Sequence, residues 1–385
     1  MRIEAVDAYY LRLPEVRAIG DGGQDALLIR VRAGGFEGWG ECEASPLPTI
    51  AALIAPMSHS ACRPVLDSVL GQPLNETADI HRIHAAVKTH SMDLLQADHA
   101  LSGIDIALWD LLGKQREEPV WALLGEDNFP KRAYASQLFG ASPAETCEAA
   151  TRAITAGFSA AKFGWGPIGR STAEADTEQF AAAREGLGPD AALFIDTGCA
   201  FGHDVARARS RIAGIEAVDA GWWEEPFPGS ALREYADLAA ATRIPLAGGE
   251  GAHNADQAMH LVDYGGVRFI QVDAGRIGGI TEARKVAQHA RDRSVEYVNH
   301  TFTSNLALSA SLQPYADHIG AFAEVPFAAS ELAAAIGGPT WALDGNGCVI
   351  APSSPGLGVT PIAGALQPYI TPVELRWNDR RLWPQ

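Results

Sequence analysis

The sequence lacks any excess of positive charge. It has 30 Lys and Arg residues against 47 Asp and Glu residues, which gives a formal net charge of −17 at pH 7. Nucleic acids and anionic membranes bind basic surfaces, so we expect neither as a partner. A small anionic substrate is still compatible with this balance, because one metal ion or one lysine can reverse the local field.

Cysteine is scarce, and long apolar runs are absent. The five cysteines form no C-x-x-C pair, and their odd number predicts reduced thiols rather than a disulfide framework. No apolar run approaches the ~18 residues that a membrane-spanning helix needs. The first 16 residues carry charges throughout and contain no apolar signal core. These absences predict a soluble, cytoplasmic protein.

The first third of the chain changes from strand patterns to helical patterns. Residues 3–13, 25–34 and 36–44 alternate polar and apolar side chains between glycine-rich turns, which predicts an antiparallel meander. Residues 44–56 are interpreted as irregular. Helical spacing dominates from about 60 to 125 and is clearest over 99–115.

From about residue 131, short apolar runs alternate with Ala-rich helical segments, which predicts a parallel α/β fold. Polar residues stand at the ends of successive apolar runs, 28, 26, 23, 27 and 24 residues apart: Asp196, Glu224, Glu250, Asp273, His300 and Glu324. These intervals suit one βα unit of a barrel, of which eight take ~250 residues. Barrel strand ends converge on one mouth, whereas an open doubly wound sheet would spread them along an edge.

Three carboxylates in phase with this repeat predict a metal site. Asp196, Glu224 and Glu250 would repel one another if they were buried together without a cation. Mg²⁺ prefers such oxygen ligands, and the absence of His and Cys at these three strand ends disfavours zinc. Glu225 is adjacent to Glu224, and strand alternation points the two to opposite faces. We choose Glu224 as the inward residue, although spacing alone leaves this choice open.

The neighbouring strand ends supply candidates for proton transfer. Asp273 beside His300 would fix the imidazole tautomer and raise its basicity, as a general base requires. Lys162 ends the strand before Asp196 and could serve as a base, a carboxylate-binding cation or a Schiff-base amine. Glu324 ends the last strand as a candidate acid or substrate hydrogen-bonding group. A dication beside a base suits removal of a proton α to a carboxylate, through an enediolate.

These motifs, taken together, make the chain resemble the mandelate racemase subgroup of the enolase superfamily. The resemblance rests on GWGEC (38–42), GIDIALWDLLGK (103–114), FID, WWEEP, GGE, QVDAGRIGGITEA (271–283), VNH and SPGLGV (354–359). It implies a modified TIM barrel, (β/α)7β, with an N-terminal α+β capping domain. The implied division is 1–130 for the capping domain, 131–350 for the barrel, and 351–385 for a segment returning to the cap.

The resemblance also implies residue roles. Mg²⁺ would be bound by Asp196, Glu224 and Glu250, with His300 as the base and Asp273 orienting it. Glu324 matches a carboxylate that contacts the substrate in this subgroup. Two loops of the cap, near 18–25 and 44–60, would close over a small-molecule carboxylate substrate. The resemblance further implies a homo-oligomer.

One departure from the family pattern bears on the reaction. The second barrel strand often carries Lys-x-Lys in this family, whereas here the run is Lys162-Phe163-Gly164. The missing second lysine argues against two-base racemisation. We therefore predict a Mg²⁺-dependent dehydratase, a lyase that converts an acid sugar to a 2-keto-3-deoxy acid. An epimerase, racemase or cycloisomerase on the same scaffold is the alternative.

Two further alternatives belong to other classes. A Schiff-base aldolase would use Lys162, but the three metal-type carboxylates argue against it. A non-catalytic barrel acting as a binding protein would not need to retain the metal-type carboxylates together with the Asp273–His300 pair.

Overall fold

The computed structural model describes residues 1–20, 22–301, 303–327, 330–338 and 341–383. Within these ranges no helix has the length and apolar character needed to cross a membrane. All five cysteines are free thiols, as predicted from their number and spacing.

The N-terminal cap is built on the predicted meander. Its antiparallel strands pair in the order β1–β2–β3: β1 (Ile3–Arg12), β2 (Asp25–Ala33) and β3 (Phe36–Cys42). Four helices and two short 3₁₀ turns follow or interrupt them: α1 (Pro46–Ile54), α2 (Thr77–His90), α3 (Ala97–Arg116), α4 (Val120–Leu123), Gly22–Gln24 and Val65–Ser68.

The expectation that 44–56 is irregular is wrong, because α1 occupies most of it. Its prolines misled the prediction. Pro46 and Pro48 fall in the first helical turn, where the backbone N–H groups have no intrahelical acceptor and proline is tolerated. The hydroxyl of Thr49 donates to the Ser45 carbonyl at 2.8 Å and closes this turn.

Strand β3 lies directly on helix α3. A Cβ atom added at Gly38 would lie 2.0 Å from the Ala107 carbonyl oxygen, and one at Gly40 would lie 2.1 Å from that of Gly103. Only glycine permits backbones to approach so closely. Helix α3 is buried along most of its length because its other side packs on the barrel. The glycines of the GWGEC motif are therefore explained by packing.

The second part of the chain forms a nearly closed barrel of eight parallel strands, so the predicted fold class is confirmed. The order is β11–β4–β5–β6–β7–β8–β9–β10. The strands are β4 (Lys131–Leu138), β5 (Ala160–Gly164), β6 (Ala192–Asp196), β7 (Trp222–Glu224), β8 (Leu246–Gly248), β9 (Phe269–Val272), β10 (Glu296–Asn299) and β11 (Phe322–Pro326).

Helices join and flank these strands on the outside. They are α5 (Pro143–Thr155), α6 (Ala173–Leu187), α7 (Val205–Arg209), α8 (Ile212–Ala217), α9 (Leu232–Ala239), α10 (Ala255–Tyr264), α11 (Gly279–Asp292), α12 (Asn305–Leu312) and α13 (Glu331–Gly337), with a 3₁₀ turn at Gln313–Tyr315. Because neighbouring barrel strands are parallel, their C-terminal ends lie at the same end of the barrel.

The seam between β10 and β11 is bridged by a side chain. The Asn299 amide donates to the Glu324 carbonyl at 3.2 Å and accepts from the Glu324 backbone N–H at 2.9 Å. Tyr315 donates to the same Asn299 oxygen at 2.7 Å. The asparagine of the VNH motif thus performs the role that strand pairing has elsewhere in the barrel.

The last part of the chain contacts both the barrel and the cap. Its elements are β12 (Cys348–Val349), α14 (Ala363–Leu366), a 3₁₀ turn at Gln367–Tyr369, β13 (Leu375–Trp377) and β14 (Arg380–Trp383). Strand β12 pairs with β4, the Leu357 N–H donates to Asp110 at 2.8 Å, and the Thr371 N–H donates to the Tyr10 carbonyl at 2.8 Å. The boundaries at 130 and 350 remain a prediction.

Candidate active site

Three carboxylates lie at the ends of three consecutive barrel strands. Asp196 is the last residue of β6, Glu224 is the last residue of β7, and Glu250 follows β8 by two residues. Asp196 and Glu224 are directly paired in the strand register. Asp196 is 4% exposed and Glu224 is fully buried, so both carboxylates are withdrawn from water.

Burial and mutual repulsion make these carboxyls unusual acids. Burial raises the pKa of Asp196 well above its usual value, and Glu224 adds to the rise. Burial also raises the pKa of Glu224 to about 7, although Lys162 opposes the shift. Burial acts upward on Glu250 as well, but His300 and Lys162 outweigh it and lower the pKa of that carboxyl. A cation placed among these groups would relieve the repulsion.

Lys162 on β5 is clamped between two carboxylates. Its Nζ lies 2.5 Å from Glu224 Oε1 and 2.8 Å from Glu324 Oε1, and its side chain is 3% exposed. Burial lowers the lysine pKa, but the two carboxylates more than compensate, so the pKa is well above its usual value. The Thr301 backbone N–H holds the other oxygen of Glu324 at 2.8 Å. A lysine held protonated in this way is a poor Schiff-base nucleophile.

His300 and Asp273 form the predicted dyad. His300 Nδ1 lies 2.7 Å from Asp273 Oδ2, and the Gly275 N–H donates to Asp273 Oδ1 at 2.7 Å. His300 Nε2 lies 3.3 Å from Glu250 Oε2. Burial lowers the pKa of His300, but Glu250, followed by Glu324 and Asp273, raises it by more than burial lowers it. The pKa of His300 is therefore well above its usual value. The basicity of the imidazole therefore depends on what neutralises Glu250.

A cavity of about 280 Å³ joins these groups. Four of the predicted site residues line it: Lys162, Asp196, Glu250 and His300. The other three are not among the described residues of its wall but contact residues that are: Asp273 contacts His300, and Glu224 and Glu324 contact Lys162. The cap loop near 18–25 contributes Ile19, Gly20 and Gly22 to the cavity wall. Residues 44–60 contribute none of the described wall residues, so only the first of the two loops expected over the substrate lines the cavity here.

Sequence reasoning missed two charged residues of the cavity wall. Arg276 follows β9 by four residues, and its Nε donates to Glu43 Oε2 at 2.8 Å; a second guanidinium nitrogen, Nη2, donates to the same oxygen. Arg276 Nη1 also donates to the Glu250 carbonyl at 3.0 Å. The only available signal was position, because Glu43 directly follows β3 and Arg276 lies three residues beyond Asp273.

Gly164 explains why the second lysine of the family pattern has no place here. A Cβ atom at position 164 would lie 2.4 Å from Asp196 Oδ2, well inside van der Waals contact. The next residue, Trp165, has a positive φ of 55° and lines the cavity. Gly164 and Trp165 therefore both line the cavity, at the end of strand β5 and directly after it.

The residues present fit a hard dication by their chemistry. Asp196, Glu224 and Glu250 offer oxygen donors of the kind that Mg²⁺ prefers, and their crowding disfavours joint ionisation without a cation. In the described part of the chain, no three His, Cys, Asp or Glu side chains stand in a ready-made coordination arrangement. Glu224 instead accepts hydrogen bonds from Lys162 at 2.5 Å and from the Trp222 indole at 2.9 Å.

Comparison with known proteins identifies relatives over most of the chain. D-galactarolactone cycloisomerase of Agrobacterium fabrum is 33% identical over 289 residues, covering 72% of this chain and 71% of that protein. Arabinonate dehydratase of Saccharolobus solfataricus is 26% identical over 272 residues, covering 70% and 71%. A solved structure described as a predicted mandelate racemase from Rhodobacter sphaeroides is 53% identical, with a TM-score of 0.94 and full coverage of both chains.

Family profiles match both parts of the molecule. The profile of the mandelate racemase / muconate lactonizing enzyme N-terminal domain covers residues 5–125. The profile described as enolase C-terminal domain-like covers residues 145–364, which is more than half of the chain. The cap sheet and the barrel agree with these matches. The chain belongs to the mandelate racemase/muconate lactonizing enzyme family of the enolase superfamily.

Proposed function

We infer that the protein is a Mg²⁺-dependent lyase that removes water from an acid sugar. The observation that carries this proposal is the His300–Asp273 dyad, which stands at one cavity with Asp196 and Glu250 and has only Gly164 at the second-lysine position. One base suffices for elimination, whereas racemisation needs a group on each face of the α-carbon. Relatives named as an arabinonate dehydratase and a D-galactarolactone cycloisomerase support sugar-derived acids as the substrate class.

The residues of this chain divide the work as follows. Asp273 orients the imidazole through Nδ1. Nε2, which lies 3.3 Å from Glu250 Oε2, would take the proton α to the substrate carboxylate once a cation neutralises Glu250. The resulting imidazolium returns a proton to the hydroxyl on the β-carbon, which leaves as water. The enol that remains rearranges to a 2-keto-3-deoxy acid, so the net change is the loss of one water molecule.

Asp196, Glu224 and Glu250 would hold the metal. Bound Mg²⁺ supplies positive charge beside the substrate carboxylate as the α-proton leaves. Lys162 offsets the negative charge of Glu224 and Glu324 beneath the cavity. A homo-oligomeric state and a cytoplasmic location remain predictions.

A cycloisomerase is the second candidate, and the single-base arrangement favours it equally. In that reaction His300 would take or return one α-proton while a lactone ring opens or closes, and no water is eliminated. An epimerase is disfavoured by Gly164.

Proton NMR in D₂O with Mg²⁺ and a panel of sugar acids and lactones tests the proposal. Loss of the α-proton signal together with new 3-deoxy resonances supports dehydration. Loss or exchange of the α-proton with only a lactone or an epimer formed would replace it with an isomerase. We expect His300→Asn to abolish both exchange and turnover, since a general base contributes about 10²–10⁴-fold.

His203→Asn provides the matched control. His203 is 65% exposed, pairs with Glu234 and is not among the described residues that line the cavity, so its loss should leave the exchange rate unchanged. If His300→Asn still exchanged the α-proton at the wild-type rate, the assignment of the base would be wrong.

A further inference from the structure

The wall of the cavity carries an ion pair whose partners come from different parts of the fold. Glu43 belongs to the cap and Arg276 to the β9–α11 loop of the barrel, 233 positions apart in the chain. Their side chains are 10% and 20% exposed. Among the described hydrogen bonds, neither side chain bonds to Asp273 or to His300, so none of these bonds orients the dyad.

The hydrogen-bonding capacity of this pair is only partly used. Both bonds from Arg276 to Glu43 end on Oε2, and among the described residues Glu43 Oε1 accepts none. Oε1 lies on the side of Gly22, at the cavity wall. Arg276 has five N–H groups, of which three are engaged by Glu43 and the Glu250 carbonyl. One acceptor on Glu43 and two donors on Arg276 therefore remain on an ion pair that lines the cavity, and hydroxyl groups can both donate and accept.

The charges around the cavity point the same way. Each basic side chain that lines it in the described structure already has a carboxylate partner: Lys162 has Glu224 and Glu324, Arg276 has Glu43, and His300 has Asp273 and Glu250. A second carboxylate at the far end of a substrate would have to enter without a cation of its own. Burying an unpaired charge is strongly unfavourable.

Two further features fit a hydroxylated chain of modest length. The Ser136 hydroxyl is buried at the wall and has no hydrogen-bond partner in the described structure. The volume of about 280 Å³ lies just below the roughly 300–1,000 Å³ of common ligand sites, which favours a small substrate.

We propose that Glu43 and Arg276 act as one neutral ion pair that hydrogen-bonds to hydroxyl groups of the substrate. The pair thereby favours monocarboxylic polyhydroxy acids over dicarboxylic acids of equal length. This inference rests on the proposed function and specifies its substrate class. The pair works only while both charges are present, because each cancels the field of the other in the cavity.

The test compares kcat/KM for matched six-carbon aldonic and aldaric acids, which differ only in the oxidation of C6. We expect the wild-type protein to prefer the aldonic acid by about tenfold or more, the size of one charge-assisted hydrogen bond. Glu43→Gln leaves the guanidinium unpaired and should lower this preference about tenfold. Arg276→Gln leaves the carboxylate unpaired and should raise the preference by a similar factor.

Glu15→Gln is the matched control, since Glu15 is an exposed carboxylate of the cap and its loss should not change the ratio. Because the two variants of the pair move the ratio in opposite directions, either one tests the inference if the other fails to fold.

A wild-type preference for the aldaric acid would overturn the inference while leaving the proposed reaction intact. An unchanged ratio in a folded Glu43→Gln or Arg276→Gln protein would do the same. Absence of both turnover and α-deuteration with every acid would instead overturn the proposed function, and this inference with it.

Discussion

Asp105 joins the cap to the barrel at a helix N-terminus, and its replacement gives a quantitative prediction. This fully buried carboxylate on α3 accepts hydrogen bonds from the Thr281 N–H at 3.0 Å and the Thr281 hydroxyl at 2.5 Å. Burial raises the pKa of Asp105 from 3.8 to about 7, although the hydrogen bonds from Thr281 oppose the shift. The same interface is completed by Trp109, whose indole N–H donates to the Thr281 hydroxyl at 3.0 Å.

The pH dependence follows from where the proton is held. The folded protein keeps the Asp105 proton up to about pH 7, whereas the unfolded chain loses it near pH 3.8. Wild-type stability therefore falls as the pH rises between these values. From pH 5 to pH 8 the group crosses about two pKa units, which corresponds to about 3 kcal/mol. Asp105→Asn does not titrate, so its stability relative to wild type should rise by this amount over the same interval.

Urea denaturation with EDTA present, followed by tryptophan fluorescence at pH 5 and pH 8, measures this difference. Asp190→Asn replaces an exposed carboxylate and should stay within about 0.5 kcal/mol of wild type at both pH values. If the stability of Asp105→Asn relative to wild type changed by less than about 1 kcal/mol between pH 5 and pH 8, burial would not control the ionisation of the Asp105 carboxyl.

Three further predictions concern the buried cation and two glycines. Lys162→Met leaves Glu224 and Glu324 uncompensated and should lower the free energy of unfolding by about 3–5 kcal/mol in urea denaturation, whereas Lys285→Met, 54% exposed, should have little effect; equal losses would refute the charge argument. Gly164→Ala should displace Asp196 and weaken Mg²⁺ binding about tenfold in calorimetry without unfolding the protein, and unchanged affinity would contradict the close contact. Gly40→Ala should cost about 1–3 kcal/mol in thermal unfolding, whereas Gly345→Ala, which has open space around it, should be nearly neutral; similar losses would argue against backbone contact between β3 and α3.

Residues that act at strand ends were predictable because strand position is a local property. Each apolar run ends at a polar residue, and barrel topology brings all the C-terminal strand ends to one mouth. Asp196, Glu250 and His300 accordingly line one cavity, and Asp273 touches His300 as expected. Glu224 could be chosen over Glu225 only by assumption, because alternation along one strand does not say which face is inside.

Other features could not be predicted because they depend on how distant segments dock. Lys162 had three candidate roles in the sequence, and only its enclosure by Glu224 and Glu324 shows that it compensates charge. Helix α1 was missed because a proline signal that usually indicates a loop is also allowed in a first helical turn.

The sequence was enough to predict the three-stranded meander, the alternation of strands and helices in the barrel and the residues at the strand ends, because these depend on periodicity and chain connectivity. It also carried glycines whose purpose is close backbone approach. Which charges meet depends on how distant segments pack, because the Glu43–Arg276 contact joins a residue of the cap to a loop of the barrel. Electrostatic partners are selected by distance in space, and separation along the chain carries no information about it.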